Sequence, residues 1–260
     1  MNNAFMRSIV FPMFGSLNYN SKPSQRVLHA YLLGRVDFEA ILAFQRRLVF
    51  DVSGDRSSGI LLLCEHSEAI TIGREGSIAH LLLDAEEYRN RQWPIRWVNR
   101  GGGCLLHAPG QLAAYSVVTL DPVALNLQEY LNRIHSLLSK VLKSLDIPAE
   151  ERPDRGGIWV GDRRIAHVGV AVRDWVTYFG FTINIDPDLE QFRWVHCDGE
   201  ARPMTSIERE RRLPIRPTAV RQRILEAFQE AFAFDRVSVF HHHPVLAQKV
   251  AVHAVVNRPA

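Results

Sequence analysis

Cys197 is the residue whose surroundings most favour covalent chemistry. It sits in Trp194-Val195-His196-Cys197-Asp198-Gly199, a polar, turn-like stretch. A thiol in such a setting is more reactive than one enclosed by apolar neighbours. Cys64 is of the second kind: it closes the apolar run Ile60-Leu61-Leu62-Leu63-Cys64 and reads as inert core. Cys104, inside a glycine-rich block, is intermediate. A cysteine nucleophile needs a base or a cation to favour its thiolate. His107, His167 and His196 are the candidate partners, although each, taken singly, is more simply a histidine in a structural hydrogen bond.

The densest run of special-purpose residues is Arg100-Gly101-Gly102-Gly103-Cys104-Leu105-Leu106-His107-Ala108-Pro109-Gly110-Gln111-Leu112. Glycines let a backbone approach a ligand closely, and a glycine-dense loop between strands is a natural ligand site. A plain hairpin loop would use glycine and proline for turn geometry alone. Three consecutive glycines are an entropic burden that a turn does not require, so a ligand loop is expected. His241-His242-His243 has the look of a metal cluster. Neighbours in a strand point to opposite faces, however, so a solvated tail is the expectation there. Arg209, Arg211, Arg212, Arg216, Arg221 and Arg223 form a basic run, read as a solvated helix face and its approach.

The elements that must position these residues follow from periodicity and punctuation. Val27 to Leu33 predicts a strand. Asp37 caps a helix in which Phe38, Ile41, Leu42, Gln45, Leu48 and Val49 recur at helical spacing, with Gly54 beyond its end. Gly59 to Glu65 and Ala69 to Ile72 predict strands, and Ile78 to Arg91 a short helix. Ile95 to Val98 leads into the glycine block and Ala113 to Leu120 leads out. Asn126 caps the clearest helix, with Leu127, Leu131, Ile134, Leu138, Val141, Leu142 and Leu145 on one stripe and Pro148 past the end. Gly157 to Ile185 reads as strands broken at Gly161-Asp162 and Arg173-Asp174. A last helix is expected from about Thr218 to Phe232, and a terminal strand at Val237 to Phe240. Strands and helices mix without strict alternation, which predicts an α+β fold rather than a doubly wound sheet.

The chain has 260 residues, 47% of them hydrophobic and 23% charged, the composition of an ordinary globular protein. A net charge of +3 argues against a nucleic-acid-binding protein but suits mildly acidic partners. Three cysteines cannot all pair and have no zinc-type spacing, which fits a reducing, cytoplasmic setting. No run approaches a membrane span, and Met1 to Leu17 lacks the form of a signal peptide.

The residues resemble the octanoyl-[acyl-carrier-protein]:protein transferases, also called lipoyl(octanoyl) transferases or lipoate-protein ligase B, over about residues 27–234. Arg100-Gly101-Gly102 with His107-Ala108-Pro109-Gly110-Gln111-Leu112 and Tyr115 is similar to that family's RGGxxTxHGPGQL block. Gly157-Ile158-Trp159-Val160, Ile165-Ala166, Gly169, Gly180, Asn184, Asp188-Leu189 and Phe192 keep its later order, and Thr205-Ser206-Ile207 resembles its TSL. The resemblance implies an α+β fold with a mixed sheet packed with helices, like the biotin and lipoate ligases and the class II synthetases. It implies that octanoyl passes from the thioester of acyl carrier protein to a lysine of a lipoyl domain, as found in 2-oxoacid dehydrogenases or the glycine cleavage H protein. A cysteine is acylated on the way, and neither ATP nor metal is used. The implied domain spans 26–240, with an extension at 1–25 and a tail at 241–260. Arg100, Gly101, Gly102, His107, Gly110, Gln111, Ala166, Gly169 and Gly180 are its implied substrate-binding residues.

The family's activating lysine is Arg164 here, its threonine is Leu105, one glycine is Ala108, and the histidine before its second glycine motif is Phe179. Arginine cannot act as a base at working pH but can stabilise a thiolate. The family cysteine lies six residues after the phenylalanine matched by Phe192, a count that lands on Asp198. Counting back eight from Thr205 lands on Cys197, which is taken as the nucleophile, with Arg164 as its cation and His107 as a pocket residue and proton shuttle. A transferase-like protein that binds acyl carrier protein, lipoyl domain or acyl chain without turnover is the alternative. An ATP-using lipoate or biotin ligase ranks third.

Overall fold

Strands and helices form largely where pattern and caps predict them. The computed structural model describes residues 25–53, 57–121, 125–152 and 156–247. The chain runs through β1 (Val27–Arg35), α1 (Phe38–Ser53), β2 (Ser58–Glu65), β3 (Ala69–Ile72), α2 (Ala85–Asn90), β4 (Ile95–Trp97), β5 (Cys104–His107) and β6 (Gln111–Val117). It continues through α3 (Leu127–Lys143), β7 (Glu150–Glu151), β8 (Ile158–Val160), β9 (Arg163–Arg173), β10 (Val176–Asn184), α4 (Ile207–Arg211), α5 (Pro217–Ala231), β11 (Arg236–His241) and α6 (Pro244–Ala247). Asp37 Oδ1 accepts from the Ala40 amide at 2.9 Å, and Asn126 Oδ1 accepts from that of Glu129 at 2.9 Å. Each satisfies an amide that its helix would otherwise leave orphaned.

Eight strands form one mixed sheet in the order β11-β1-β2-β6-β10-β9-β8-β7. β1 runs parallel to both its neighbours, and β2, β6, β10 and β9 are successively antiparallel. Gly59 to Cys64 of β2 are buried without interruption because helices cover both faces of the sheet. On one face, Leu112 and Ala114 of β6 and Ala166 and Val170 of β9 pack with Ile134, Leu138 and Leu142 of α3 and Val220, Ile224 and Phe228 of α5. On the other, Ala113, Tyr115, Val117 and Ala171 pack under Ile41, Phe44 and Leu48 of α1. β4, β3 and β5 form a second, three-stranded sheet with its own apolar cluster.

Several expectations are corrected. The glycine block is not one loop: its middle is β5, which pairs with β3 in the small sheet, whereas β6 belongs to the large one. The block is therefore the crossing between two sheets. The region from 78 to 91 is a 3-10 turn at Ile78–His80 followed by the short α2, whose Asp84 and Glu87 form a capping box. On α3, Leu127 is 41% exposed, and Tyr130 and Leu137 take its place in the buried face. Arg221 is not on a solvated face but pairs with Glu65 at 2.9 Å, each side chain only 19% exposed. His241 closes β11, and His243 packs its ring on Phe44 and Tyr31 instead of trailing into solvent. Residues 1–24 and 248–260, which hold most of the expected extension and tail, lie outside the described residues. No helix among the described residues is long and apolar enough to cross a membrane.

Candidate active site

Where the small sheet meets the α1 face of the large sheet, a narrow, closely packed cleft opens. Phe38 at the start of α1, Leu105 and His107 of β5, Tyr115 of β6, and Phe179 and Phe181 of β10 supply its apolar and aromatic walls. Arg100, His167, Gly169, Gly180 and Thr182 complete it. The alternation of β9 puts His167 and Gly169 on this face, while Ala166 and Val170 turn to the α3 side.

The polar groups of the cleft are buried and tightly tied. Arg100 is 3% exposed; its Nη2 donates to the Thr71 hydroxyl at 2.9 Å and the Thr71 carbonyl at 3.2 Å, and its Nη1 to the Gly101 carbonyl at 3.0 Å. Thr71 Oγ1 also lies 3.2 Å from His107 Nε2. Burial, then the neighbouring His66 and Arg100, hold the His107 imidazole well below its usual range, so it is neutral near pH 7. His66 bonds the Tyr115 hydroxyl at 2.7 Å and the Val36 carbonyl at 2.7 Å, and burial lowers it to about 4.

Behind this wall lies an ionic centre. Asp198 has a left-handed backbone (φ 54°, ψ 26°), unusual for a residue with a side chain. That turn brings its carboxylate to three donors. Oδ1 accepts from the Gly103 amide at 2.5 Å and faces His167 Nε2 at 3.2 Å; Oδ2 accepts from Arg164 Nη1 at 2.5 Å. Burial opposes the charge, but His167, Arg164 and the Gly103 amide outweigh it and hold the carboxyl well below the usual carboxylate range. Arg164 is 1% exposed, with its guanidinium 4.6 Å from the centroid of the Trp159 ring and Nη2 3.9 Å from Glu200 Oε1. Two glycines make room for this centre. A Cβ on Gly102 would lie 2.9 Å from Asp198 Oδ1 and 3.0 Å from His167 Nε2, and one on Gly103 2.8 Å from Asp198 Cα.

The expected site residues divide into three sets. Arg100, His107, Gly169 and Gly180 line the cleft, and Gly102 abuts the ionic centre. Gly101, Gly110, Gln111 and Ala166 frame the site without lining it. The Gly101 amide donates to the Val170 carbonyl, and that of Gly110 to Glu65 Oε2. Gln111 bridges Leu106 to Asn184, which reaches the Thr205 carbonyl, and Ala166 belongs to the core on the opposite face. Cys197 and Arg164 come together: with Trp159 and Met204 they border a small void outside the cleft. The polar sequence around Cys197 does not expose its thiol. It is 4% exposed in the small-sheet cluster with Ile70 and Leu106. Burial pushes its pKa up to about 11 despite Arg164 nearby. Cys104 and Cys64 are likewise buried, with thiols raised by burial. His196 caps the 3-10 turn Cys197–Gly199 through its backbone position, making no side-chain cap bond. Asp198 is within reach of sequence reasoning through the count from Phe192. The pairing of His167 with it carries no sequence signal, because the partners lie 31 residues apart.

The architecture recurs in solved structures. A lipoate-protein ligase A bound with ATP superposes with a TM-score of 0.64 at 16% identity, covering 85% of this chain and 93% of that one. A putative lipoate protein ligase from Thermoplasma acidophilum with bound lipoic acid gives 0.62 at 18%, covering 87% and 94%. Similarity in sequence is stronger elsewhere. An octanoyltransferase of Geotalea uraniireducens is 36% identical over 179 residues, 68% of this chain and 80% of that protein. One of Pelobacter propionicus is 34% identical over 198 residues, 76% and 91% respectively. Residues 37–229, from the α1 cap through most of α5 and so including both sheets' contributions to the cleft, match the lipoyl protein ligase A/B catalytic domain. The chain belongs to the lipoyl protein ligase A/B catalytic domain family.

Proposed function

We propose that this protein transfers an octanoyl or lipoyl group from the thioester of acyl carrier protein to a lysine of a lipoyl domain. The observation that carries the reading is the lining of the cleft: aromatic and aliphatic side chains of the kind that hold an acyl chain, with Arg100, His107 and His167 among them. A thioester brings its own activation, so the donor needs no nucleotide. Arg100, fixed by Thr71 and Gly101, supplies positive charge where an oxyanion would develop. The similarity to octanoyltransferases supports the same substrate class.

The family route passes through an acylated cysteine. Cys197 and Arg164 are adjacent as that route requires, but the thiol's burial, its raised pKa and its place outside the cleft count against attack on a thioester bound there. A second reading, binding without turnover, is favoured by one observation: the Arg164 guanidinium is engaged by the Asp198 carboxylate. The test is incubation of the full chain with octanoyl-acyl carrier protein and a lipoyl domain, followed by intact mass of all three proteins. An octanoylated lipoyl domain is expected. Carrier-protein binding without any octanoylated acceptor would establish the second reading instead.

A further inference from the structure

We propose that His167, anchored by Asp198, is the base that takes the proton of the acceptor lysine, so that the acyl group moves from thioester to amine in one step without an acyl-enzyme. The inference rests on the acyl-transfer reading and adds the group that performs its proton transfer.

The roles of the two residues follow from their contacts. The Asp198 carboxylate is committed to the Gly103 amide, His167 and Arg164, which makes it an anchor rather than an attacking group. A carboxylate can only accept, so the His167 nitrogen facing it, Nε2, must carry the hydrogen. In the neutral ring Nδ1 is then bare. Nδ1 is buried and has no hydrogen-bond partner among the described residues, and the side chain, 2% exposed, lines the cleft. An imidazole with one nitrogen held by a carboxylate and the other without a partner, on a side chain that lines the cleft, is the pairing a general base uses. Burial, with Arg100 and Arg164 adding to it, keeps the ring neutral and ready to accept a proton, although Asp198 pulls the other way. Gly102 and Gly169 leave the space it occupies: a Cβ on Gly169 would lie 2.8 Å from His167 Cε1.

The step balances. The lysine ammonium gives one proton to His167 Nδ1, and the neutral nitrogen so formed attacks the thioester carbon to form a C–N bond. His167 returns that proton to sulfur as the C–S bond breaks, and the attacking nitrogen releases a second proton to solvent, leaving an amide and a free thiol. No oxidant or further reactant is consumed.

The experiment compares wild type, His167→Gln and Asp198→Asn in octanoyl transfer from octanoyl-acyl carrier protein to two acceptors: a lipoyl domain and hydroxylamine, an amine that is unprotonated at neutral pH and attacks thioesters without a base. Acid-quenched intact mass is taken in parallel. His167→Gln should lose roughly 100-fold more activity toward lysine than toward hydroxylamine, within the span of general-base catalysis. Wild type should show no octanoyl adduct during turnover. Asp198→Asn should follow the same split; should it fail to fold, His167→Gln decides the question by itself, because that substitution leaves the Asp198–Arg164 pair in place. Equal losses on both acceptors, unchanged lysine transfer, or an octanoyl adduct mapped to Cys197 each overturn the inference while leaving acyl transfer standing. A wild type that binds the carrier protein and octanoylates neither acceptor overturns the acyl-transfer reading itself.

Discussion

Neutralising Asp198 should destabilise this protein by several kcal/mol, and removing its partner as well should restore most of the loss. The pair is inside: the Arg164 side chain is 2% exposed and that of Asp198 18%. Breaking one side of a buried pair strands the other charge and costs about 3–5 kcal/mol. Two features soften the stranding of Arg164 in Asp198→Asn. The Trp159 ring lies 4.6 Å from its guanidinium, and Glu200 is 3.9 Å away. The asparagine can keep the Gly103 amide bond but must turn its own amide hydrogens toward Arg164 or His167, both of which are donors. We therefore expect a loss near the lower end, about 3 kcal/mol. Arg164→Met with Asp198→Leu replaces the pair by apolar volume and should lie within about 1 kcal/mol of wild type. Urea unfolding with a shared m-value measures all three. The acid dependence has a definite sign. The folded carboxyl titrates below its unfolded value of about 3.9, so the pair's contribution is complete above that pH and disappears only as pH falls beyond it. A loss below about 1 kcal/mol for Asp198→Asn, the value of an exposed pair, or a gap that closes between pH 5 and 8, would refute the reasoning.

Three more outcomes are expected. Shortening the donor from octanoyl to hexanoyl removes two methylenes from the slot walled by Phe38, Leu105, Phe179 and Phe181; at about 0.8 kcal/mol each, kcat/KM should fall roughly 15-fold, and equal values would mean the chain does not lie there. His66, lowered by burial to about 4, stays neutral in the fold where the unfolded chain takes a proton. Its contribution is therefore full above about pH 6.5 and declines by about 3 kcal/mol down to pH 4. His66→Gln should flatten the stability-versus-pH curve in that window, and an unchanged slope would contradict the assignment. Gly103→Ala puts a Cβ 2.8 Å from Asp198 Cα, which must move. Stability should drop by roughly 1–3 kcal/mol, the usual cost of overpacking, while kcat falls further than stability accounts for; wild-type kcat in a folded variant would count against the Asp198 centre.

The helices are the most legible elements. Asp37 and Asn126 act as caps in the fold because a side-chain acceptor followed by apolar residues at helical spacing satisfies local amides whatever surrounds it. α5 starts at Pro217, beside the expected Thr218. β5 escapes a reading of pattern because Cys104–His107, flanked by glycines and a proline, has the local signature of a loop; it is a strand only because β3 offers its edge. Leu127 falls on the wrong side of α3 for a related reason. The stripe shows which residues are apolar, but the sheet beneath decides which arc of it is covered.

The family motif is legible in the sequence, and through it Arg100, His107, Gly169 and Gly180, which line the cleft, and the stretch from Phe192 to Thr205 in which the nucleophile is expected. Such features are local, carried by residue type and spacing. Which side chain of that stretch faces the ionic centre depends on the fold around it. The left-handed turn at Asp198 aims its carboxylate at Gly103, His167 and Arg164, while Cys197, one residue earlier, sinks into the small-sheet cluster. Adjacent residues leave the backbone in different directions, so a one-residue difference in counting exchanges a carboxylate for a thiol. Three partners from other strands and loops, not the chain's own spacing, fix where that carboxylate points.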